Sequence, residues 1–472
     1  MSTRTPRGRS PFGNESAQSP GVFGREYRAL TIGILLSVAV VAFESLGVAT
    51  ILPVVARELD GMGAFGWGLA ALMLANVLGT VVAGRSADRR GPVPAMWAGV
   101  TAFVLGCAVS GLAGSWPLFI AGRVLQGGGV GALMVLAYTV IGLSYPEKLR
   151  SRMYALLSSA WTIPALIGPS VAGILSDAVG WRWVFGMVIP LTAIASLLTA
   201  PGLQRVTCSP VREVSETHTV KPQRWWRGHV VSAIQLAAGS ALLLQALLFE
   251  RPLLMLIGIG VGVALAVPAL RRVTPSGTLT ARSGLGAGVV IRALLCGAYF
   301  GAEAFLPLGL QEVRGLNATV AGLGLSVGAL TWVAGSLIQA RWDASQASRP
   351  RSVVIGSLVL LLGTTGIAAA MSSTVPWWFA IVGWAIGGLG MGIAFNASTT
   401  ETLSLAAPKE QGQVSSALQL AQTLATALIA GLGGAAIAHV ASELLHVALL
   451  AVLSVTGMLA FFSALLARRV TD

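Results

Sequence analysis

Apolar residues in this chain run in long unbroken stretches, with neither the period-two alternation of a half-buried strand nor the polar face of a soluble amphipathic helix. About 20 apolar residues make one helical crossing of a bilayer, and fourteen stretches meet that length: 29–55, 66–84, 93–113, 116–144, 153–175, 182–200, 230–249, 252–270, 285–310, 318–340, 352–372, 376–400, 412–438 and 443–467. Between the sixth and seventh, residues 201–228 carry Arg205, Arg212, Lys221, Arg224 and Arg227 beside Trp225 and Trp226. That segment is too polar to enter the bilayer and reads as a loop with an aromatic interfacial anchor. The seventh and eighth stretches form a tight hairpin turned at Glu250-Arg251-Pro252. The pattern predicts an all-α membrane protein of fourteen transmembrane helices.

Composition agrees: 55% of residues are hydrophobic and 10% charged, against about 25% charged in a typical soluble domain. The net charge of +13 does not point to nucleic acid, because the basic residues are dispersed through short connections between apolar stretches, where they act as orientation signals. With the N-terminus inside, 25 of the 31 Lys and Arg fall in the tail and inner loops, four fall outside (Arg57, Arg182, Arg251, Arg314), and Arg123 and Arg292 lie within spans. Both termini are therefore expected in the cytoplasm. Residues 1–28, rich in Ser, Pro, Gly and Arg, read as a disordered tail without the features of a removable signal peptide, and 468–472 as a second short tail. Cys107, Cys208 and Cys296 are too scattered for a disulfide framework or a zinc site. Arginines outnumber lysines 28 to 3, which suggests a GC-rich bacterial genome and so a bacterial cytoplasmic membrane.

A weak internal repeat divides the chain. Leu52-Pro53, Glu58 and Gly61 recur 254 positions later as Leu306-Pro307, Glu312 and Gly315; Asp88 has a counterpart at Asp343; and the glycines at 122, 127, 129 and 131 recur at 383, 388, 390 and 392. The order holds through three helices. It predicts two related six-helix halves, 29–200 and 285–467, separated by the segment 201–284 with its loop and inserted hairpin. Repeats of this kind are a hallmark of secondary transporters, whose substrate site lies near the midplane between the repeats.

Glu44 is the first candidate for chemistry. It lies in the middle of Ala29–Val55, which carries no other charge, and an acid at that depth costs about 2.5 to 3.5 kcal/mol on insertion scales, so a proton, ion or substrate site is the default reading. Nine residues on, Pro53 lets the helix bend near its outer end. Arg123, in the fourth span, stays charged in any protein site and needs a buried partner. Glu44 is the nearest acid in the same half; a purely structural arginine is the other reading. Glu303, the second acid at membrane depth, stands in Tyr299-Phe300-Gly301-Ala302-Glu303-Ala304-Phe305-Leu306-Pro307, where aromatic neighbours suit an apolar cation. A structural hydrogen bond or a second protonation site would use the same residues. Asn76, Gln126, Asn396, Gln419 and Gln422 are polar candidates for a central cavity, with Trp161 and Tyr138 as aromatic walls.

Several short motifs resemble those of the major facilitator superfamily. Gly84-Arg85-Ser86-Ala87-Asp88-Arg89-Arg90-Gly91 is similar to its signature loop G-x-L-a-D-r-x-G-r-k, matching at Gly84, Asp88, Arg89 and Gly91, with Ser86, Pro92 and Val93 departing. Arg123-Val124-Leu125-Gln126-Gly127-Gly128-Gly129-Val130-Gly131 resembles R-x-x-q-G-x-g-a. Gly168-Pro169 with Ala172-Gly173 resembles the antiporter element G-x-x-x-G-P-x-x-G-G, in which Pro164 and Ala172 replace glycines. Gly180-Trp181-Arg182-Trp183-Val184-Phe185 is similar to the start of the sixth helix in drug exporters, with Val188 in place of the usual Asn. The first span, with Glu44, Leu52 and Pro53, resembles the l-D-x-T-i-v-n-v-A-L-P element of the fourteen-helix drug:proton antiporters.

The resemblance implies a major facilitator fold of two six-helix halves with an inserted two-helix hairpin. It also implies proton transfer through Glu44 and Arg123, conformational roles for Gly84, Asp88, Arg89, Gly91, Gly168, Pro169 and Gly173, and export of hydrophobic drugs or toxic compounds, cationic ones included, in exchange for protons. Candidate substrate contacts are Glu303, Tyr299, Phe300, Trp161, Gln126 and Asn396. The partners expected are protons, a small molecule and the lipid bilayer, with the chain working as a monomer, without nucleic acid, metal or cofactor. Several other readings are excluded or minor. Gly258-Ile259-Gly260-Val261-Gly262 lacks the strand and turn of a dinucleotide site. His439, Glu443 and His446 have helical metal-ligand spacing without a clear further ligand, and Arg292 and Glu401 are expected to snorkel from inner helix ends to water. No lysine follows a glycine, so there is no P-loop, and no nucleophile–base pair suggests an enzyme. Two other functions use the same sequence: a proton-coupled importer of a nutrient or exporter of an endogenous lipid or metabolite, and a non-transporting receptor or scaffold.

Overall fold

The computed structural model describes residues 21–208, 222–345, 348–407 and 410–470, and no strand occurs among them. A bilayer offers backbone amides no partners, and helices satisfy them internally. In chain order the helices are α1 (Arg28–Glu58), α2 (Trp67–Arg90), α3 (Pro92–Gly111), α4 (Trp116–Ser144), α5 (Glu147–Ser159), α6 (Thr162–Val179), α7 (Arg182–Cys208), α8 (Pro222–Ala246), α9 (Pro252–Val273), α10 (Leu285–Leu308), α11 (Ala318–Ala344), α12 (Arg349–Ala369), α13 (Trp378–Ser404), α14 (Gln411–Ala438) and α15 (Leu445–Leu466). Pro92, Pro117, Pro252 and Pro350 stand in the first turns of α3, α4, α9 and α12, where a missing N–H leaves no bond unmade. Gly91 adopts φ +81°, a backbone that glycine takes without strain, and so turns α2 into α3.

Thirteen helical segments among the described residues are long and apolar enough to cross a membrane, and Val230–Ala246, the apolar part of α8, is slightly shorter. The fourteen stretches thus appear as helices, with one change of form. The fifth, expected as a continuous span over 153–175, is two helices broken at Ala160–Trp161. Pro164 has no N–H to bond the Ala160 carbonyl, so the last turn of α5 and the first of α6 cannot be joined by a regular ladder. Within the segment expected as a disordered tail, Val22 is buried and its carbonyl accepts the Thr31 hydroxyl at 2.6 Å. Residues 1–20 and 209–221 lie outside the described residues.

The two halves use one packing scheme. In the first, α4 packs on α2 and α3, α7 on α1 and α3, and α6 on α1; in the second, α13 packs on α11 and α12, α15 on α10 and α12, and α14 on α10. The halves meet through the reciprocal pairs α6–α11 and α2–α14, with α1 also touching α10. The hairpin α8–α9 packs on itself and against α2, and α8 also touches α14. Ala70 and Leu74 of α2, Leu236 and Leu244 of α8, Ala269 of α9 and Leu424 and Ala427 of α14 form a separate apolar cluster there. The hairpin therefore covers the α2–α14 seam from its periphery.

Candidate functional site

At the middle of α1, Glu44 is fully buried and Arg123 of α4 is 1% exposed. The guanidinium Nη1 donates to Glu44 Oε1 and, at 2.7 Å, to Gln126 Oε1, while Nε donates to the Gly68 carbonyl of α2 at 2.9 Å. Gln126 in turn donates to the Cys107 sulfur of α3 at 3.3 Å. One guanidinium thus ties α1, α2 and α4 together. Glu44 Oε2 is buried without a hydrogen-bond partner among the described residues. A buried acceptor with nothing to accept is costly, and a proton on that oxygen would relieve the charge that makes it so. Glu44 and Arg123, paired from the sequence, are in contact; Gln126, expected as a substrate contact, is buried and accepts from Arg123, and the Gly68 carbonyl carries no side-chain signal.

The second half departs from this arrangement. The shift of 261 that relates the glycine series places Trp384 opposite Arg123. Trp384 Nε1 donates to the Leu325 carbonyl of α11 at 3.1 Å, so an indole replaces the guanidinium in tying the fourth helix of its half to the second. Tyr299 stacks on Trp384 with centroids 4.4 Å apart and meets Trp332 edge-on at 4.9 Å. Phe300 lies 5.9 Å from Trp332, and Trp332 lies 5.3 Å from Phe395. Tyr299 and Trp384 are buried, whereas Phe300, Trp332, Phe395, Asn396 and Glu303 are partly exposed. Glu303 makes no hydrogen bond or ion pair among the described residues. Trp161, expected as a wall of a central cavity, lies at the α5–α6 break in the first half and is 39% exposed.

Arg292 does not snorkel. It is 4% exposed, its guanidinium lies 3.7 Å from the centroid of Phe395, and it donates to the Thr399 hydroxyl. The Phe395 face gives the delocalised cation a partial electrostatic partner. Glu401 is also held: Arg349 binds Asp343 through two bonds of 2.6 and 3.2 Å and reaches Glu401 at 3.5 Å. These three residues join α11, α12 and α13 near the end of the bundle that bears the termini, and Asp343 is the repeat counterpart of Asp88. In the first half, Asp88 and Arg89 stand in the last turn of α2, with Arg89 exposed and Gly84 half-buried; the Asp88 side chain lies outside the described residues.

Contacts between the halves concentrate at the end opposite the termini. Asp177 of α6 accepts the Thr319 amide at 2.9 Å and its hydroxyl at 2.6 Å. Ser170 and Ser326 are hydrogen-bonded at 2.8 Å, Gln311 donates to the Thr50 carbonyl at 2.9 Å, and Arg57 pairs with Glu312 at 2.9 Å. The backbones come as close: a Cβ on Gly173 would strike the Ala318 carbonyl, and one on Gly66 would strike the Ala430 carbonyl. Pro169 shares this surface, facing Gly322, while Gly168 faces the Phe43 ring of α1. The fifth-helix element thus forms the α6–α11 seam. Nearby, Trp181 and Arg182 both donate to Glu58, at 2.7 and 2.5 Å, and Arg182 lies 4.3 Å over Trp181. No metal-binding cluster of His, Cys, Asp or Glu occurs among the described residues.

The family model for the Major Facilitator Superfamily matches residues 34–430. Among curated relatives, "Multidrug resistance protein 3" of Bacillus subtilis is 24% identical over 396 residues, 82% of this chain and 75% of the relative. "Probable multidrug-efflux transporter Rv1634" of Mycobacterium tuberculosis is 26% identical over 421 residues, 86% of this chain and 87% of the relative. Among solved structures, the peptide transporter POT in complex with sulfate superposes with TM-score 0.67 at 14% identity, covering 93% of this chain and 94% of that one. The xylose transporter XylE from E. coli superposes with TM-score 0.62 at 12% identity, covering 94% and 98%. These last two likenesses concern the fold alone.

Proposed function

Because the chain belongs to the Major Facilitator Superfamily, and is therefore a multi-pass membrane transporter, we propose that it exports hydrophobic cationic compounds in exchange for protons. The observation that carries this reading is the buried Glu44–Arg123 pair with its unpartnered Glu44 oxygen. A bare carboxylate in that place is held by one guanidinium; a protonated one is released from it. Alternating access couples the two states to substrate: when the halves part at one end, water reaches Glu44 and the acid exchanges its proton with that side. Arg123 keeps the emptied site charge-balanced, and Gln126 keeps Arg123 in place.

The distribution of basic residues supports placing the end with the termini in the cytoplasm of a bacterial inner membrane. In that orientation the present structure is closed toward the outside, and the α6–α11 and α2–α14 seams are the outer gate. Gly168, Pro169 and Gly173 let α6 slide against α1 and α11, and Gly84, Asp88, Arg89 and Gly91 rearrange with Asp343 and Arg349 when the inner end closes. Glu303 neutralises a cation that rests on Phe300 and Trp332, beside Asn396. The likeness to multidrug efflux proteins supports export over nutrient uptake.

The test is transport in inside-out vesicles energised to be acidic inside. A lipophilic aromatic cation should accumulate against its gradient and leave when the pH gradient is collapsed. Accumulation unaffected by collapse would remove proton coupling, and movement only out of the vesicles would replace export with uptake.

A further inference from the structure

The hairpin α8–α9 ends in positive charge. The last turn of α9 carries Arg271 and Arg272, both exposed, and Arg272 is directed toward α8 by a hydrogen bond of 3.1 Å to Gln235. The connection to α10 then folds on itself. The Thr274 and Thr278 hydroxyls, both on buried residues, donate to the Leu270 and Pro275 carbonyls at 2.7 Å each. Gly277 turns with φ +87°, and Ala281 takes φ +47°, a left-handed backbone that an L side chain rarely adopts. The Arg282 amide closes the loop on the Gly277 carbonyl at 3.0 Å, and the Gly284 amide donates to the Arg469 carbonyl at 2.9 Å. That last bond joins the loop to the turn Ala467–Val470, in which Ala467 and Val470 are buried and the two arginines between them are exposed.

Arg271, Arg272, Arg282 and Arg469 are thereby gathered on one folded frame, and none of them is in an ion pair among the described residues. The chain supplies no local acid: none lies between Glu250 and Glu303, nor between Glu443 and the last residue. Arg349, in the same half, has Asp343 and Glu401. Like charges gathered without a counter-charge repel. The C-terminal pole of α9 favours Arg271 and Arg272 but not Arg469, which stands on another element. The orientation bias of inner loops asks only that arginines be present; it does not ask for a loop folded around them. Along α9, Leu253, Leu254, Leu256, Ile257, Val261 and Val263 are all exposed. The flank of the hairpin is therefore a lipid-facing wall, and the arginines mark where that wall meets water.

We infer that this end of the hairpin is a binding site for an anionic phospholipid, with the headgroup phosphate taken by the arginines of α9, the loop and the C-terminal turn, and the acyl chains laid along α9. Guanidinium matches phosphate through two parallel N–H bonds, which a fixed frame can aim. The occupant is a lipid and not a free phosphate because the apolar wall of α9 leads directly to the cluster. The headgroup joins three elements: the end of α9, the start of α10 and the C-terminal turn. The hairpin packs on α2 of the first half and, through α8, on α14 of the second. A lipid that binds its inner end to the second half gives the inserted helices a fixed partner while the halves rock. The inference uses neither the identity of the substrate nor proton coupling.

The experiment titrates purified full-length protein, in an uncharged maltoside detergent, with phosphatidylglycerol or phosphatidylcholine. Retained lipid is counted by native mass spectrometry, and thermal unfolding is followed by tryptophan fluorescence. An arginine beside an anionic headgroup contributes about fivefold in affinity, so three or four together should make wild type prefer phosphatidylglycerol about a hundredfold and unfold at a higher temperature with it. The triple variant Arg271→Gln, Arg272→Gln, Arg282→Gln should reduce the preference to about fivefold or less and lose the stabilisation. A second triple, Arg25→Gln, Arg90→Gln, Arg351→Gln, removes the same charge from exposed positions elsewhere at that end and should keep the preference within about twofold. Inorganic phosphate at matched ionic strength should leave the bound lipid in place. Equal retention of the two lipids would remove the site, equal loss in the two triples would reduce it to overall charge, and displacement by inorganic phosphate would make it a free-anion site; each overturns the inference.

Discussion

Removing either member of the Glu44–Arg123 pair alone should cost more than removing both together would suggest. In Arg123→Met the side-chain volume is roughly kept, but Glu44 Oε1, Gln126 Oε1 and the Gly68 carbonyl all lose a donor, and Glu44 Oε2 already has none. Deleting one member of a buried pair costs about 3–5 kcal/mol, because it strands the other charge. In Glu44→Gln the guanidinium keeps Gln126 and Gly68 and gains a neutral acceptor, but its buried charge is left uncompensated, so the loss should likewise be about 3–5 kcal/mol. The double variant strands no charge, and should be less destabilised than the sum of the singles, with a coupling of about 0.5–3 kcal/mol. Denaturant unfolding in detergent, followed by tryptophan fluorescence, measures all four proteins. The reasoning fails if Arg123→Met is within about 1 kcal/mol of wild type, or if the two losses simply add.

The seams give further expectations. Cysteines at Ser170 and Ser326, whose oxygens are 2.8 Å apart, should cross-link under mild oxidation, stop transport, and recover on reduction; continued transport by the cross-linked protein would show that α6 and α11 need not part. Gly66→Val places a side chain against the Ala430 carbonyl, so spin labels across the seam should report greater separation than in wild type. Arg57→Ala should change stability by less than about 1 kcal/mol, since Arg57 is 54% exposed in its pair with Glu312. Arg349→Ala frees both Asp343 and Glu401 and should slow transport several-fold with little loss of substrate affinity; an affinity loss alone would assign Arg349 to binding.

Helix number, the related halves and the buried Glu44–Arg123 pair were legible because each leaves a one-dimensional trace: apolar length, spaced repetition, and a charge where none belongs. The α5–α6 break was not, although Pro164 marks it, because prolines inside membrane helices more often kink than interrupt them. Arg292 was misread for a physical reason. Snorkelling depends on which way a side chain leaves its helix, and the aromatic shelf that receives Arg292 is contributed by α13, more than one hundred residues away in sequence. The outer seam was equally hidden, since Asp177, Thr319, Gln311 and the Thr50 carbonyl acquire meaning only when two halves meet. Trp384 could have been found, as the repeat shift places it opposite Arg123, but an indole in an apolar stretch gives no hint that it substitutes for a guanidinium.

The claim that Glu44 carries the exchanged proton is tested most directly by proton release on substrate binding, recorded with a pH-sensitive dye in weakly buffered detergent solution of purified protein and a lipophilic aromatic cation. Wild type should release a proton as the cation binds, and Glu44→Gln should bind the cation with no release. Undiminished release by Glu44→Gln would contradict the account and move the proton to another acid.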